Sequence, residues 1–338
     1  MNIKEALKHV SAGRDLSSKE MRSVMEEILS GHATSVQIAG FLMALRTKGE
    51  TVDEITAAAK ALYDHAEACF ISPHPLVDIA GTGGDGANTF NISTTVAFVV
   101  AASGGYVAKH GNRSFASQSG SGDVLECAGV SLELTPMQMM ECVEKVGIGF
   151  LFAPVFHGAM RFSAVARKEL GVRTLFNLLG PLTNPAKATH QLVGVYDKKW
   201  VEPLAEVFKN LGSQHSLVVH SEDGLDEISI AAPTYVAELF QGKIKTYYIT
   251  PQEYGFKEQS LKSCVVKSPQ ESYEIMLKVF HNEPGAPLDI VLFNAGATLY
   301  VADRVPSIKE GIETARAAIA SKKPLEIFEA LKKLTHSF

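Results

Sequence analysis

Leu76-Val-Asp-Ile-Ala80 runs straight into Gly81-Thr-Gly-Gly-Asp-Gly86. A helix-compatible stretch from about Ser93 to Ser103 follows, and then Gly105-Tyr-Val-Ala108. The first run is short and mostly apolar, as a buried strand should be. The glycines form a loop that no helix or strand would tolerate. The order strand, loop, helix, strand predicts a crossover unit and hence a parallel sheet. Further strands are expected at Ile148 to Phe152, Gln191 to Tyr196, Ser216 to His220 and Asp289 to Phe293, with helical patterns between several of them. Thr135-Pro136, with Gln138 completing a capping box, starts another helix.

Upstream of Ser72-Pro-His-Pro75 the texture is helical. Ser17 with Glu20, Thr34 with Gln37 and Thr51 with Glu54 are three capping boxes. Each precedes apolar residues at helical spacing, and Gly49 suits a helix stop. Three capped amphipathic helices predict a small bundle. The expected fold is therefore α/β: a small N-terminal α-helical domain, residues 1–71, plus a larger α/β domain, residues 72–338, with a mainly parallel central sheet.

Composition narrows the function. The chain has 338 residues, 46% of them hydrophobic, with 32 basic and 37 acidic side chains and a net charge of −5. A general nucleic-acid binder needs a basic excess, so none is expected. Cys69, Cys127, Cys142 and Cys264 lie far apart, which predicts buried thiols in a reducing compartment rather than a disulfide framework or zinc site. The N-terminus carries no apolar signal core. The longest apolar run, Val96 to Ala102, is far too short for a membrane span. A cytoplasmic protein with no membrane partner is the expectation.

The chemistry concentrates between residues 78 and 123. Nine of the 27 glycines lie from Gly81 to Gly122, where even spacing would place about three or four. From Gly86 to Gly122 there is no carboxylate; Lys109, His110 and Arg113 stand among hydroxyls and amides. Glycine lets backbone N–H groups approach an anion, and a helix N-terminus adds its positive end. The loop is not a Walker A motif, since no Gly-Lys-Ser/Thr follows, and it fits the dinucleotide fingerprint only loosely. A second polar loop, Lys109-His-Gly-Asn-Arg-Ser-Phe-Ala-Ser117, should meet it at the strand ends, where open α/β sheets bind ligands. His110 reads equally well as a packed, hydrogen-bonded histidine, and an Asp226-Glu227 pair taken alone reads as surface charge.

Asp78-Ile-Ala-Gly-Thr-Gly-Gly-Asp85, Asn91-Ile-Ser-Thr94, Lys109-His-Gly-Asn-Arg-Ser114, Gly120-Ser-Gly-Asp-Val-Leu-Glu126, His157-Gly-Ala-Met-Arg161, Arg167-Lys-Glu-Leu-Gly-Val-Arg-Thr174, Asn177-Leu-Leu-Gly-Pro-Leu-Thr-Asn-Pro185 and Asp223-Gly-Leu-Asp-Glu-Ile-Ser229 together resemble the anthranilate phosphoribosyltransferase family over nearly the whole chain. The resemblance implies transfer of a 5-phosphoribosyl group from 5-phosphoribosyl-1-pyrophosphate to the amine of anthranilate. It implies a homodimer, two magnesium ions per subunit, and helices from about 157–185 joining the N-terminal bundle. For the donor site it implies Gly81, Gly84, Asp85, Thr89, Asn91, Ile92, Ser93, Thr94, the run Lys109, His110, Gly111, Asn112, Arg113, Ser114, Phe115, Ala116 and Ser117, and Ser121. Anthranilate falls to Gly81, Asn112 and Arg167, and the metal to Ser93, Asp226 and Glu227. His157, Met160, Arg161 and Arg173 belong to the same cleft or its hinge. No general base is implied, so catalysis rests on positioning and metal. Ala116 stands where a serine is common. Two alternatives share the architecture: a pyrimidine nucleoside phosphorylase, which needs no metal carboxylates, and a non-catalytic nucleic-acid-binding relative, which would carry a basic surface.

Overall fold

The computed structural model describes residues 1–72, 75–114 and 118–338. Four helices open the chain: α1 (Ile3–Ser11), α2 (Ser18–Leu29), α3 (Ser35–Lys48) and α4 (Val52–Asp64). The three capping boxes are present as expected, and Gly49, at φ 93°, stops α3. α1 was not expected, although Asn2 and Glu5 form a capping box of their own. In α1 that signal lies at the chain start with few apolar residues behind it.

The α/β part then follows. β1 (Leu76–Gly81) leads to α5 (Ile92–Ala102), β2 (Tyr106–Gly111), α6 (Ser121–Cys127), α7 (Pro136–Val146) and β3 (Ile148–Phe152). α8 (Ala153–Phe156), α9 (Arg161–Leu170) and α10 (Leu175–Leu182) come next, then β4 (His190–Gly194), α11 (Val201–Leu211) and β5 (His215–Ser221). β6 (Thr234–Phe240) and β7 (Lys243–Ile249) form a hairpin, and α12 (Pro269–Phe280), α13 (Ala286–Val301), α14 (Ile308–Ala320) and α15 (Lys323–Thr335) complete the chain.

The sheet order is β3-β2-β1-β4-β5-β6-β7. The first five strands are parallel, and β6 and β7 are antiparallel. Successive strands depart from β1 in opposite directions, so β1 and β4 flank a topological switch point, with a crevice beyond their carboxyl ends. Alternate residues feed two cores. Ile79, Leu192 and Leu217 join α5, α13 and α15 on one face. Val193, Val218 and Leu239 join α10, α11 and the N-terminal helices on the other. The N-terminal helices thus share a core with the sheet.

Two expectations fail. Asp289 to Phe293 lies inside α13, not in a strand. A five-residue apolar run cannot distinguish a buried strand from one stretch of a fully buried helix, and α13 is buried almost all round. The β6–β7 hairpin was not expected. Its turn, Gln241-Gly242, has φ of 49° and 74°, the positive pair of a tight hairpin turn. The expectation of buried thiols also fails at Cys127, which is exposed, whereas the other three cysteines are buried; none forms a disulfide.

α13 and α14 cross very closely at two glycines. A Cβ on Gly311 would strike the Gly296 backbone, and one on Gly296 would strike Ile312. Gly311→Ala is expected to destabilise the protein by about 1–3 kcal/mol, as overpacking does, with a lower urea midpoint as the readout.

Candidate active site

The crevice is assembled around glycines. A Cβ on Gly81 would collide with the Asp226 carboxylate, and one on Gly194 with the Asp226 backbone. Gly83 N–H donates to Asp226 Oδ2 at 2.7 Å. The β1 loop, the end of β4 and the Asp226-Glu227 segment therefore lie in direct contact. Gly194 is a site-building residue that sequence reasoning missed; its only signal is a glycine at the end of a strand. Within the loop, Thr82 N–H goes to Gly194 O. The N–H groups of Gly84, Asp85 and Gly86 donate to nothing among the described residues. They are the groups an anion at this loop would meet.

α5 begins beside this loop. Ser93 does not cap it; that position is Asn91. Asn91 is itself consumed: its Oδ1 accepts from Ser119 Oγ and Ser272 Oγ, each at 2.7 Å, and its Nδ2 donates to Ser119 O at 3.1 Å. It ties α5 to α12 and to the loop before α6. Ile92 is buried. Thr89 pairs in an isolated bridge with Val265. Thr94 Oγ1, in contrast, is buried without a partner, and an orphaned buried hydroxyl at a helix start is what a bound phosphate oxygen would satisfy.

Lys109 and His110 are on β2, not in the loop, because β2 pairs with β3 as far as Gly111 opposite Phe152. Lys109 is 3% exposed. Its Nζ donates to Ile79 O at 2.5 Å and Ser93 Oγ at 3.1 Å. Burial pulls its pKa down, and Asp78, Glu227 and Asp226 push it back up. His110 faces away from the loop: Nδ1 meets Gly180 O of α10 at 3.0 Å, and its ring lies 5.0 Å from that of His157. Burial drives His110 down to about 4 and His157 to about 3, so both are neutral. His110 Nε2 and His157 Nδ1 have no partner.

Past Gly111 the chain is held from below. Asp123 accepts N–H groups from Ser114 and Gly120 at 2.7 and 2.8 Å. Asn112 O accepts from Ser121 Oγ at 3.2 Å. Asn112 Oδ1 accepts from Arg113 N–H at 2.7 Å. Arg113 pairs with Glu126 at 2.8 Å and lies over Phe152. Phe115, Ala116 and Ser117 lie outside the described residues. Arg167, in the last turn of α9, is largely buried with its guanidinium 5.5 Å above the Phe176 ring of α10. α10 is thus the common neighbour of Arg167 and His110. Arg173 reaches the donor loop itself: a Cβ on Gly84 would fall 2.9 Å from its Nε, and its guanidinium stacks 4.1 Å from the Tyr196 ring.

Asp226 and Glu227 are each 8% exposed, which excludes their reading as surface charge. Burial raises Asp226 to about 7, with Asp85 adding repulsion. Burial, then Asp226, raises Glu227 well above the carboxylate range, while Lys109 and the Ser93 N–H pull it back. Crowding three carboxylates beside one buried lysine makes their joint ionisation costly without a further cation. A divalent cation fits that imbalance, and oxygen donors suit magnesium. No cage of three or more His, Cys, Asp or Glu side chains occurs among the described residues.

Two family models match the chain: the helical bundle domain of a glycosyl transferase family over residues 4–66, and its α/β domain over 73–324. An anthranilate phosphoribosyltransferase of Methylococcus capsulatus is 54% identical over 338 residues, covering 100% of this chain and 99% of that protein. The crystal structure of the Thermus thermophilus anthranilate phosphoribosyltransferase superposes with a TM-score of 0.93 at 42% identity, covering 98% of this chain and 99% of that one. The Saccharomyces cerevisiae enzyme in complex with PRPP and Mg does so with a TM-score of 0.91 at 28% identity, covering 99% and 98%.

Two predictions follow from the geometry. Gly84→Ala places a Cβ against Arg173 at a residue whose φ is 79°; binding of a phosphorylated ligand is expected to weaken at least tenfold, read by calorimetric titration with inorganic pyrophosphate and magnesium. The second concerns acid. Because the folded pKa values of His110 and His157 lie below the ordinary 6.5, the unfolded chain binds more protons between about pH 6.5 and 4. Stability is full above that window and falls as pH drops through it, by about 3 kcal/mol for one such ring. His157→Gln should flatten the slope of unfolding free energy between pH 6.5 and 4.5, measured by urea denaturation.

Proposed function

The chain belongs to the anthranilate phosphoribosyltransferase family, and from that premise we propose how its own residues carry out the reaction. It transfers the 5-phosphoribosyl group of 5-phosphoribosyl-1-pyrophosphate to the amine of anthranilate, giving N-(5-phosphoribosyl)anthranilate and pyrophosphate, a step of tryptophan biosynthesis. The observation that carries this reading is 54% identity to such an enzyme along the entire chain, combined with a switch-point crevice whose free N–H groups and buried carboxylates suit a pyrophosphate–metal pair. It favours the transferase over a nucleoside phosphorylase or a nucleic-acid-binding relative.

Displacement at the ribose C1 develops positive charge on the sugar and negative charge on the leaving pyrophosphate. The N–H groups of Gly84, Asp85 and Gly86, the Thr94 hydroxyl and the start of α5 face that negative charge. Ser93, Asp226 and Glu227 would hold magnesium, which when bound neutralises phosphate charge. Two ions per subunit remain part of the proposal. Lys109 acts from behind: it holds the Ser93 hydroxyl and offsets the buried carboxylates, so we assign it a positioning role in place of direct phosphate contact. Asn112 and Arg167 would bind the anthranilate carboxylate, a role that suits a guanidinium held on an aromatic ring. The aromatic amine attacks as the neutral species, so no general base is assigned. Residues 1–71, with 157–185, form the module we expect to move against the rest when the crevice closes.

A homodimer is supported by α3. Ile38, Phe41, Leu42 and Leu45 are buried on one side, and Val36 is 82% exposed on the other. Val165 on α9, which packs against α3, is also exposed. A cytoplasmic location is consistent with four cysteines and no disulfide. No helix among the described residues is long and apolar enough to cross a membrane.

Mixing the protein with anthranilate, the pyrophosphate donor and magnesium should deplete anthranilate fluorescence; phosphorolysis of thymidine or uridine instead would reverse the assignment. Asp226→Asn with Glu227→Gln is expected to raise the magnesium concentration needed for half-maximal rate at least tenfold. A double variant with wild-type turnover would refute the metal assignment.

A further inference from the structure

At the opposite end of the sheet from the crevice lies a cavity of about 280 Å³. It opens between α2, α4, the segment that enters β4, and the end of α11. We propose that it binds a free α-amino acid with an apolar side chain, independently of the transferase reading.

Three features of the wall carry this. The first is charge. Arg22, Lys60 and Lys187 line the cavity with a single acid, Asp64. Asp64 is already paired with Arg22 at 2.5 Å. Lys60 and Lys187 form no ion pair among the described residues, so two cations face the cavity uncompensated and call for a carboxylate.

The second feature is an orphaned acceptor. Gln191 lines the cavity and is 4% exposed. Its Nε2 donates to Ala188 O, which fixes the amide orientation, and its Oε1 then has no partner. A buried amide oxygen without a donor is costly, and an N–H donor from a ligand, reached by a small turn of the amide, would relieve that cost. An ammonium beside a carboxylate supplies both needs at amino-acid spacing. A plain carboxylate at neutral pH offers no such donor, and inorganic phosphate, which does, has no apolar part for the rest of the wall.

The third feature is an apolar wall. Phe208 and Leu211, on successive turns of α11, line the cavity with Leu182 at the end of α10. They would take a hydrocarbon or aromatic side chain. The volume falls just short of the usual range of drug-sized small-molecule sites, about 300–1,000 Å³. That suits a single amino acid and is small for a nucleotide.

The cavity is not part of the catalytic crevice. Gln191 pairs with Asp78, three residues before Gly194 on β4, and the crevice lies beyond the carboxyl end of that strand. A rise of about 3.3 Å per residue puts roughly 10 Å of packed sheet between them.

The test is isothermal titration of the full chain with L-phenylalanine, and with 2-phenylethylamine, which keeps the ring and ammonium but lacks the carboxylate. L-phenylalanine is expected to bind saturably and 2-phenylethylamine at least tenfold more weakly. A Lys60→Ala, Lys187→Ala double variant, altered only at exposed side chains, should keep wild-type transferase turnover and lose at least tenfold in L-phenylalanine affinity. Gln191→Leu should lower that affinity as well. A wild-type protein that takes up no L-phenylalanine up to its solubility limit overturns the proposal. So does a lysine double variant that binds it as tightly as the wild type, since the amino acid would then be bound elsewhere.

Discussion

The contact of Asp226 with three glycines is the constraint on which the crevice depends. Its backbone lies on Gly194 and its carboxylate on Gly81, and it takes the Gly83 N–H at 2.7 Å. Side chains at either of the first two positions would push the carboxylate pair away from the loop that it must face. The segment after β5 can reach the ends of β4 and β1 only because those strands end in glycine. The switch-point topology places the strand ends side by side, and the glycines let a third segment close over them.

That closure has an electrostatic consequence. Asp226 and Glu227 share a desolvated corner beside the half-buried Asp85, and burial raises the two far above their ordinary values. Lys109 lies behind them within the sheet and bonds to a backbone carbonyl and to Ser93. An array of this kind is poorly balanced alone and becomes balanced when a divalent cation and a polyanion enter together. The net charge of −5 therefore does not oppose an anionic substrate. The local carboxylate-free window and the neighbouring acids divide the work between N–H groups and metal.

Much of this could be read from the residues alone. Ser17/Glu20, Thr34/Gln37 and Thr51/Glu54 located helix starts because a capping box is a local device, complete within four residues. The glycine-rich loop and the carboxylate-free window that follows it, Gly86 to Gly122, pointed to a candidate anion site for the same reason. Other features were hidden. Asp289 to Phe293 carried an apolar run that fits either element, and only full burial of α13 decides for helix. The neighbours of Lys109 are more than a dozen residues away in sequence, so its removal from the loop into β2 had no local signal. Arg173 was assigned only to the cleft or its hinge, with no stated contact, and the structure sets its guanidinium against Gly84.

By itself the sequence determined the class of fold, the positions of the capped helices, the place of the glycine-rich loop and, through motif order, the family. These depend on hydrogen bonds, periodicities and residue types that act over a few positions. Only the tertiary structure decided that Asp226 and Glu227 are buried, that Asn91 and Arg113 are bound up in the scaffold, and that His110 and His157 are paired and neutral. It alone brings Lys60, Lys187 and Gln191 to one cavity. The reason is physical: burial, pKa and partnership are properties of what surrounds a side chain, and here the surroundings come from segments as far apart as 181 residues, as between Asn91 and Ser272.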